Sequence, residues 1–318
     1  MRSSSVPGKL MLAGEYAVLA PGGCAIAAAT VPLVDWWLPT DATPGVQLQA
    51  FGRTFAWHDH DAAPEGIARF VAATAQAMQR EGVPGDAAIA LRVRADHGGR
   101  KLGLGSSAAV CVATGRALAS AAGRPFDLAL LRACERAHFA AQGGRGSGYD
   151  IFTVGAGGVV RYDRENKAVQ PLRWPDGLCA VAFFAGESAD TREAIGGRIR
   201  PAPDDIQRIS AAEAALASAL AQGDRDATMA AIAGAERAFV AMAERFPWLL
   251  PTGLRQIAAC VADAGGVYRT SGAGGGDCGL GFFADAAQAE AAEQAWRAAG
   301  GWVVCRWPEA LWPSEEAL

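Results

Sequence analysis

The sequence predicts an α+β protein that folds as two domains. The chain has 318 residues, of which 51% are hydrophobic, so it is long enough to fill two cores. Its first half mixes alternating strand segments with helices. Its second half follows the order β-α-β-β-α-β with additional helices in the first connection, which is typical of a ferredoxin-like domain. A change in composition around residues 165–175 places the expected domains at 1–170 and 171–318.

The first half opens with residues 7–19, which predict a strand that carries Lys9, a turn at Gly14 and a short helical start. The remaining strands of this half are predicted at 24–34, in two segments within 46–57, at 87–93, at 151–154 and around 157–162. Its helices are predicted at 65–81, directly after Gly105, and at 128–141, where Asp127 is a suitable N-cap.

The second half alternates short apolar strands with alanine-rich helices. The strands are predicted at 178–184, 267–270, 279–284 and 302–306, and the helices at 204–222, 225–245, 251–264 and 286–299. A glycine-rich segment, Ser271–Cys278, separates the second strand from the third.

Charge and hydropathy exclude several classes of protein. The formal net charge is −4 and no run of Lys or Arg forms a basic patch, so we expect no nucleic-acid partner. No 18-residue apolar stretch predicts a membrane span, and Lys9, Gly14 and Glu15 interrupt the apolar run near the start. Seven cysteines without C-x-x-C spacing suit reduced thiols, and we expect a cytoplasmic protein.

The segment that begins Lys101-Leu-Gly-Leu-Gly-Ser-Ser-Ala predicts a phosphate-binding loop. Its glycines let the backbone approach an anion, and the helix that follows offers N–H groups without helical partners and the positive end of its dipole. Ser106 and Ser107 add hydroxyls that suit a helix cap or a phosphate-bound Mg²⁺.

Other interpretations of this segment stay open on the residues alone. Gly103–Ala108 also fits G-x-G-x-x-G/A, the dinucleotide pattern, but that pattern needs a buried strand ending at the first glycine. Here the apolar alternation ends near Val93 and a polar stretch intervenes. A plain helix start with glycines in a turn is a further alternative, whereas no Walker A sequence occurs in the chain.

A second glycine-rich segment, Gln142–Asp150, suits the close approach of a ligand because it sets Arg145, Ser147 and Asp150 among glycines. Only three of the 29 basic residues are lysines, and Lys9 and Lys101 flank glycine-bearing segments, where a compact charge suits an anion. His138 lies on an apolar helix and is expected to be a packed core residue.

Three segments together carry a resemblance to a known family: Pro7–Val18, Gly103–Ala109 and Ser271–Gly279. In this order they resemble the GHMP small-molecule kinases over nearly the whole chain. The chain is most similar to the bacterial phosphomevalonate kinase branch. That closer similarity rests on Gly14–Ala17, Gly146–Asp150, Pro171–Pro175, Gly186–Thr191 and Asp277–Cys278.

The resemblance implies a first domain like domain 2 of ribosomal protein S5 and a ferredoxin-like second domain, with ATP and the acceptor bound between them. It implies catalytic roles for Lys9 and Asp150 and contact of Ser107 with Mg²⁺. The ATP-binding candidates are Lys101, Gly103, Leu104, Gly105, Ser106, Ser107 and Ala108. The substrate-binding candidates are Glu15, Tyr16, Arg145, Ser147, Gly148, Thr191, Arg192, Ser271, Gly272 and Gly274. One departure is that Phe139 or Gln142 stands near the position of a Mg²⁺-binding glutamate in mevalonate kinase relatives.

The expected activity is therefore ATP- and Mg²⁺-dependent transfer of a phosphoryl group to 5-phosphomevalonate, giving 5-diphosphomevalonate and ADP. The alternatives are a family member that phosphorylates an alcohol, such as mevalonate or a sugar, and one that binds nucleotide and metabolite without turnover. A dinucleotide-binding oxidoreductase is the remaining alternative. The expected partners are ATP and a phosphorylated small molecule, and a homodimer stays open.

Overall fold

The computed structural model describes residues 2–40, 43–58, 64–94, 101–186 and 199–313. The chain forms two compact units. The first comprises residues 1–9, 29–157 and 312–318, and the second comprises residues 10–28 and 158–311. Two long strands, β1 (Ser3–Ala13) and β2 (Cys24–Trp37), pair with each other and contribute residues to both units.

The predicted N-terminal strand that carries Lys9 is confirmed as part of β1. The chain leaves it at Gly14, where φ is +96° and a Cβ would lie 2.3 Å from the Cys24 carbonyl oxygen. Only glycine fits both conditions. A short 3-10 helix, Ala17–Leu19, confirms the predicted helical start.

The first unit, where the structure describes it, adds three strands and four α-helices to its parts of β1 and β2. These are β3 (Val46–Ala50), β4 (Arg53–Trp57), α1 (Ala68–Arg80), β5 (Ile89–Val93), α2 (Ser106–Ala121), α3 (Leu128–Ala141) and α4 (Tyr149–Ala156). The strand order here is β4-β3-β5-β2, with β3 parallel to β5 and the other neighbours antiparallel. α2 packs on β5 and also contacts α1, α3 and α4, so the centre of this unit's core is α2.

The sequence patterns locate most of these elements correctly. Asp127 caps α3 as predicted, because its side chain accepts a hydrogen bond from the Leu130 N–H at 3.0 Å. The predicted strand at 151–154 is wrong, since these residues lie in α4. Ile151 to Ala156 are all buried, and a short, uniformly buried run has no periodicity to separate a helix from a strand.

The described residues of the second unit form six strands and four α-helices besides its parts of β1 and β2. They are β6 (Val159–Asp163), β7 (Ala168–Leu172), β8 (Cys179–Phe184), α5 (Pro203–Gln222), α6 (Arg225–Ala243), α7 (Thr252–Asp263), β9 (Val267–Thr270), β10 (Cys278–Phe283), α8 (Ala286–Ala298) and β11 (Trp302–Trp307). β6 pairs with residues 24–28 of β2 on one side and with β7 on the other. β7 has no counterpart among the predicted elements.

The ferredoxin-like arrangement predicted for the second half is confirmed by the order of its antiparallel sheet, β11-β8-β10-β9. α7 and α8 cover this sheet through a core that includes Phe183, Ile257, Phe283 and Trp296. The predicted boundary between residues 170 and 171 lies inside β7, so the two compact units divide the chain differently from the two predicted domains.

All seven cysteines are free thiols, as the absence of C-x-x-C spacing predicts. Cys111 and Cys134 are buried between α2 and α3, and burial raises the pKa of the Cys134 thiol to about 12. These two thiols are therefore neutral packing groups rather than nucleophiles. Among the described residues, no helix combines the length and hydropathy that a bilayer crossing needs.

Candidate active site

Lys9 lies directly beside the predicted phosphate-binding loop within the first unit. The Lys9 N–H donates to the Leu104 carbonyl oxygen at 2.9 Å, which ties the loop to β1. A Cβ on Gly8 would lie 2.8 Å from Thr30 Oγ1 and 3.0 Å from the Leu104 oxygen, so the close approach of loop and strand requires glycine. The side-chain nitrogen of Lys9 lies 5.2 Å from the centre of the Tyr149 ring, in a cation–π contact.

Gly105 turns the loop into α2. Its φ of +76° is in the left-handed region, and a Cβ there would lie 2.8 Å from Lys9 Cε. The first helical hydrogen bond of α2 runs from the Ala109 N–H to the Gly105 oxygen, at 3.0 Å. The amides of Ser106, Ser107 and Ala108 thus precede the helical ladder and have no partner within the helix, which suits an anion.

A polar cluster brings Ser107 and Asp150 together through His138. Ser107 Oγ lies 3.0 Å and the nearer Asp150 carboxylate oxygen 3.7 Å from His138 Nε2. Gln142 directly follows α3, one turn beyond His138, and its amide nitrogen lies 3.2 Å from the same histidine nitrogen. Three helices therefore meet at this cluster, since Ser107 is on α2, His138 on α3 and Asp150 on α4.

Asp150 is held in the first turn of α4. Gly148 precedes this helix with a φ of +90°, and the other Asp150 carboxylate oxygen accepts from the Ile151 N–H at 3.0 Å. The carboxylate is 19% exposed, so one edge of it is open to solvent while the other faces His138. Gly148 thus sets the direction of the helix that carries Asp150.

The oxygen atoms of this cluster suit Mg²⁺ in their chemistry. Mg²⁺ takes oxygen ligands and usually binds one or two carboxylates together with phosphate oxygens and water. Ser107 and Asp150 supply a hydroxyl and a carboxylate around one histidine nitrogen, which the Gln142 amide nitrogen also approaches. Within the part of the chain that the structure describes, no group of three or more His, Cys, Asp or Glu residues forms a metal site. The donor set therefore fits an ion that takes most of its ligands from phosphate and water.

The third glycine-rich segment lies in the second unit and is anchored there by the residues that follow Lys9. Ser271 Oγ donates to the Met11 carbonyl oxygen at 3.0 Å and lies 3.2 Å from the Met11 nitrogen. The Tyr16 hydroxyl donates to the Ala273 carbonyl oxygen at 2.6 Å. Burial, with the nearby Glu15 carboxylate, raises the pKa of Tyr16 above its ordinary value, so this hydroxyl keeps its proton and remains a donor.

Glu15 is 2% exposed and its carboxylate forms an ion pair with the guanidinium of Arg269. Arg269 also donates to Glu236 at 2.8 Å and to the Leu12 carbonyl oxygen at 2.9 Å. Because a buried charge must be paired, the Glu15 carboxylate is engaged inside this unit. Its contact is with the arginine that precedes Thr270 and the glycine-rich segment, and its role in substrate binding stays a prediction.

The remaining candidates differ in their surroundings. Lys101 and Arg145 are exposed, and Ser147 is half-buried just before Gly148. Gly272 and Gly274 have φ values of +77° and +75°, and a Cβ on Gly274 would lie 2.7 Å from the Leu249 carbonyl oxygen. Thr191 and Arg192 lie outside the described residues.

The sequence patterns did not reveal the polar contact of His138 or the pairing of Arg269. His138 was expected to pack in the core, and it is 3% exposed and lies against the Phe70 ring, but its Nε2 serves the polar cluster. Gln142 rather than Phe139 occupies the cluster, since Phe139 is 41% exposed. The i, i+4 spacing of His138 and Gln142 on a helix is the one signal that pairs them. No sequence pattern predicts the pairing of Arg269, because its partners Glu15 and Glu236 are far away in the chain.

We expect Gly105→Ala to impair both stability and nucleotide binding. The left-handed backbone costs an alanine about 1–2 kcal/mol. The new Cβ must also displace Lys9, and misplacement of a catalytic group by about 1 Å lowers activity by about 100-fold. Thermal unfolding and ATP titration of the variant measure the two effects.

Gly123→Ala is the matched control, because Gly123 follows α2 with a φ of +67° and a Cβ there would meet nothing within 4 Å. It should show the backbone cost alone and keep full ATP affinity. Equal ATP affinities for the two variants would contradict the inferred contact between the loop and Lys9.

Comparisons with known proteins match both halves of the chain. Residues 66–158 match the family model for the GHMP kinases N terminal domain, and residues 216–301 match that for the GHMP kinases C terminal domain. The phosphomevalonate kinase of Streptomyces sp. (strain CL190) is 28% identical, over 92% of this chain and 93% of that protein. Streptococcus pneumoniae phosphomevalonate kinase in complex with phosphomevalonate and AMPPNP has a TM-score of 0.81 at 21% identity, covering 96% of this chain and 99% of that one. The Lin0012 protein from Listeria innocua has a TM-score of 0.83 at 22% identity and covers 96% of each chain.

Proposed function

This chain belongs to the GHMP kinase family of phosphotransferases, and from that premise we propose that it transfers the γ-phosphoryl group of ATP to 5-phosphomevalonate. The products are 5-diphosphomevalonate and ADP. The choice of acceptor is supported by the Streptomyces phosphomevalonate kinase, whose similarity extends over 92% of this chain. It is also supported by two segments, Gly14–Ala17 and Gly146–Asp150, which resemble those of the bacterial phosphomevalonate kinases.

The observation that carries the proposal is the position of Lys9 beside the loop at the N-terminus of α2. Phosphoryl transfer depends on positioning and charge stabilisation more than on covalent chemistry. The amides of Ser106, Ser107 and Ala108 offer hydrogen bonds to phosphate oxygens. Lys9, held against Gly105, adds a positive charge on the same side of the loop.

Mg²⁺ is the cofactor that we propose with ATP. Ser107 and Asp150 would hold it through a hydroxyl and a carboxylate oxygen. When bound, the ion would neutralise part of the charge on the phosphates. Ser107 and Asp150 would supply the oxygen atoms that bind this cation.

A phosphate acceptor changes what Asp150 has to do. The second pKa of a phosphate group is about 6, so most of the acceptor is already ionised at neutral pH. Because no proton has to be removed, Asp150 would orient the cation and the cluster rather than act as a base. An alcohol acceptor would instead require a base.

We test the proposal by measuring ADP release with ATP and Mg²⁺ on 5-phosphomevalonate, mevalonate and a panel of sugars. Reactions without acceptor report ATP hydrolysis. Turnover confined to 5-phosphomevalonate supports the proposal. Turnover only on an alcohol would move the protein to another acceptor within the family, and AMPPNP binding without any turnover would indicate a non-catalytic member.

Asp150→Asn separates the two chemistries. With a phosphate acceptor we expect kcat to fall by about tenfold, because an amide keeps one ligand oxygen and no base is lost. Loss of a general base would cost about 100-fold to 10,000-fold. The kcat of the variant on the preferred acceptor decides between these outcomes, and a loss above 100-fold would contradict the orienting role.

A further inference from the structure

His138 is the buried group of the site that the proposed chemistry does not use. Its ring is 3% exposed, and one face of it lies against Phe70 with the ring centres 5.3 Å apart. Packing accounts for that face. It does not account for Nε2, which lies 3.0 Å from Ser107 Oγ and 3.7 Å from the Asp150 carboxylate.

The direction of the hydrogen bond between His138 and Ser107 determines what the Ser107 oxygen can offer a ligand. A hydroxyl has one proton and two lone pairs. If Nε2 accepts the Ser107 proton, that proton is fixed inside the protein, and both lone pairs of Oγ remain for a cation. This assignment places the His138 proton on Nδ1, as neutral histidine allows.

Ser107 needs such a partner because of its place in α2. It stands in the first turn of the helix, and its hydroxyl lies 3.0 Å from His138 Nε2. A serine hydroxyl rotates freely unless something holds it. His138, anchored on a different helix, is positioned to select one rotamer of Ser107.

We propose that His138 is a positioning residue that fixes the Ser107 hydroxyl for binding of Mg²⁺ and the ATP phosphates. This inference rests on the proposed kinase activity and on Mg²⁺ as its cofactor, but not on the identity of the acceptor. His138 acts through Ser107. In other proteins, groups that hydrogen-bond to a metal ligand orient that ligand, and Nε2 of His138 would do the same for Ser107.

The test compares His138→Gln with His138→Asn. The glutamine amide oxygen reaches the position of Nε2 and accepts the Ser107 proton, whereas the shorter asparagine does not reach it. Calorimetry with AMPPNP measures the nucleotide affinity with Mg²⁺ and with EDTA. We expect His138→Asn to weaken the affinity for Mg²⁺·AMPPNP by about 10-fold to 100-fold, and His138→Gln to recover most of it.

His58→Asn is the matched control, because His58 lies on the surface of the same unit, where its Nδ1 lies 2.9 Å from the Pro44 carbonyl oxygen. It should bind Mg²⁺·AMPPNP like the wild type. Thermal unfolding of all the variants without ligand shows that they are folded under the conditions of the titration.

Ser107→Ala completes the design. If His138 acts through Ser107, His138→Asn should cause no further loss of Mg²⁺·AMPPNP affinity in the Ser107→Ala background. Additive losses would overturn the proposal, as would unchanged Mg²⁺·AMPPNP affinity in folded His138→Asn, or equal losses in the glutamine and asparagine variants. Because AMPPNP binding needs no acceptor, failure on 5-phosphomevalonate in the ADP-release assay leaves this test intact.

Discussion

Replacing Lys9 with alanine is expected to lower kcat by about 100-fold to 1,000-fold, the usual cost of removing one group that stabilises transition-state charge. Lys9 is held beside the phosphate-binding loop by the bond from its N–H to Leu104 and by the fit of its side chain against Gly105. Its ammonium group would therefore stabilise the charge that shifts between phosphates during transfer. Single-turnover measurement of ADP formation separates this loss from any change in ATP affinity.

Lys167→Ala is the control for the removal of a lysine. Lys167 lies in the turn between β6 and β7, in the second unit. Its replacement should leave kcat within about twofold, since changes away from the site have small effects. A folded Lys9→Ala variant with more than a tenth of wild-type kcat would refute the role of Lys9.

The largest effect on stability is expected from Arg269→Met. Arg269 is fully buried and contacts both Glu15 and Glu236, so its removal leaves two carboxylates without their cation. Breaking a buried ion pair costs about 3–5 kcal/mol. The melting temperature should fall by about 5–10 °C, measured by differential scanning calorimetry.

Two further variants give this prediction its controls. Arg306→Met removes a pair with Glu293 in which Arg306 is 29% exposed, and it should cost no more than about 1 kcal/mol. Adding Glu15→Gln to Arg269→Met should restore part of the lost stability, because it removes one stranded charge. If Arg269→Met and Arg306→Met melted at the same temperature, the buried network would not hold the second unit together.

The sequence was sufficient for most of the secondary structure, because local patterns carry that information. The Asp127 cap, the glycine that begins α2 and the four strands of the ferredoxin-like sheet all follow from residues a few positions apart. The failures have the same explanation. The segment 151–154 is buried throughout and is too short to show a periodicity, and β7 has a burial pattern without strict alternation.

What the sequence by itself determined is the family and the set of candidate motifs. These are the loop that ends at Ser107, Lys9, Asp150 and the glycine-rich segment after Ser271. Tertiary structure decided how these groups are held. His138 has the sequence context of a core residue, and it becomes a polar partner of Ser107 only because α2, α3 and α4 meet at one point. Glu15 has the context of a site residue, and it becomes a buried partner because Arg269, 254 positions later, lies against it. A hydrogen bond or an ion pair depends on distances in space, and sequence separation does not reveal such distances between residues on different elements.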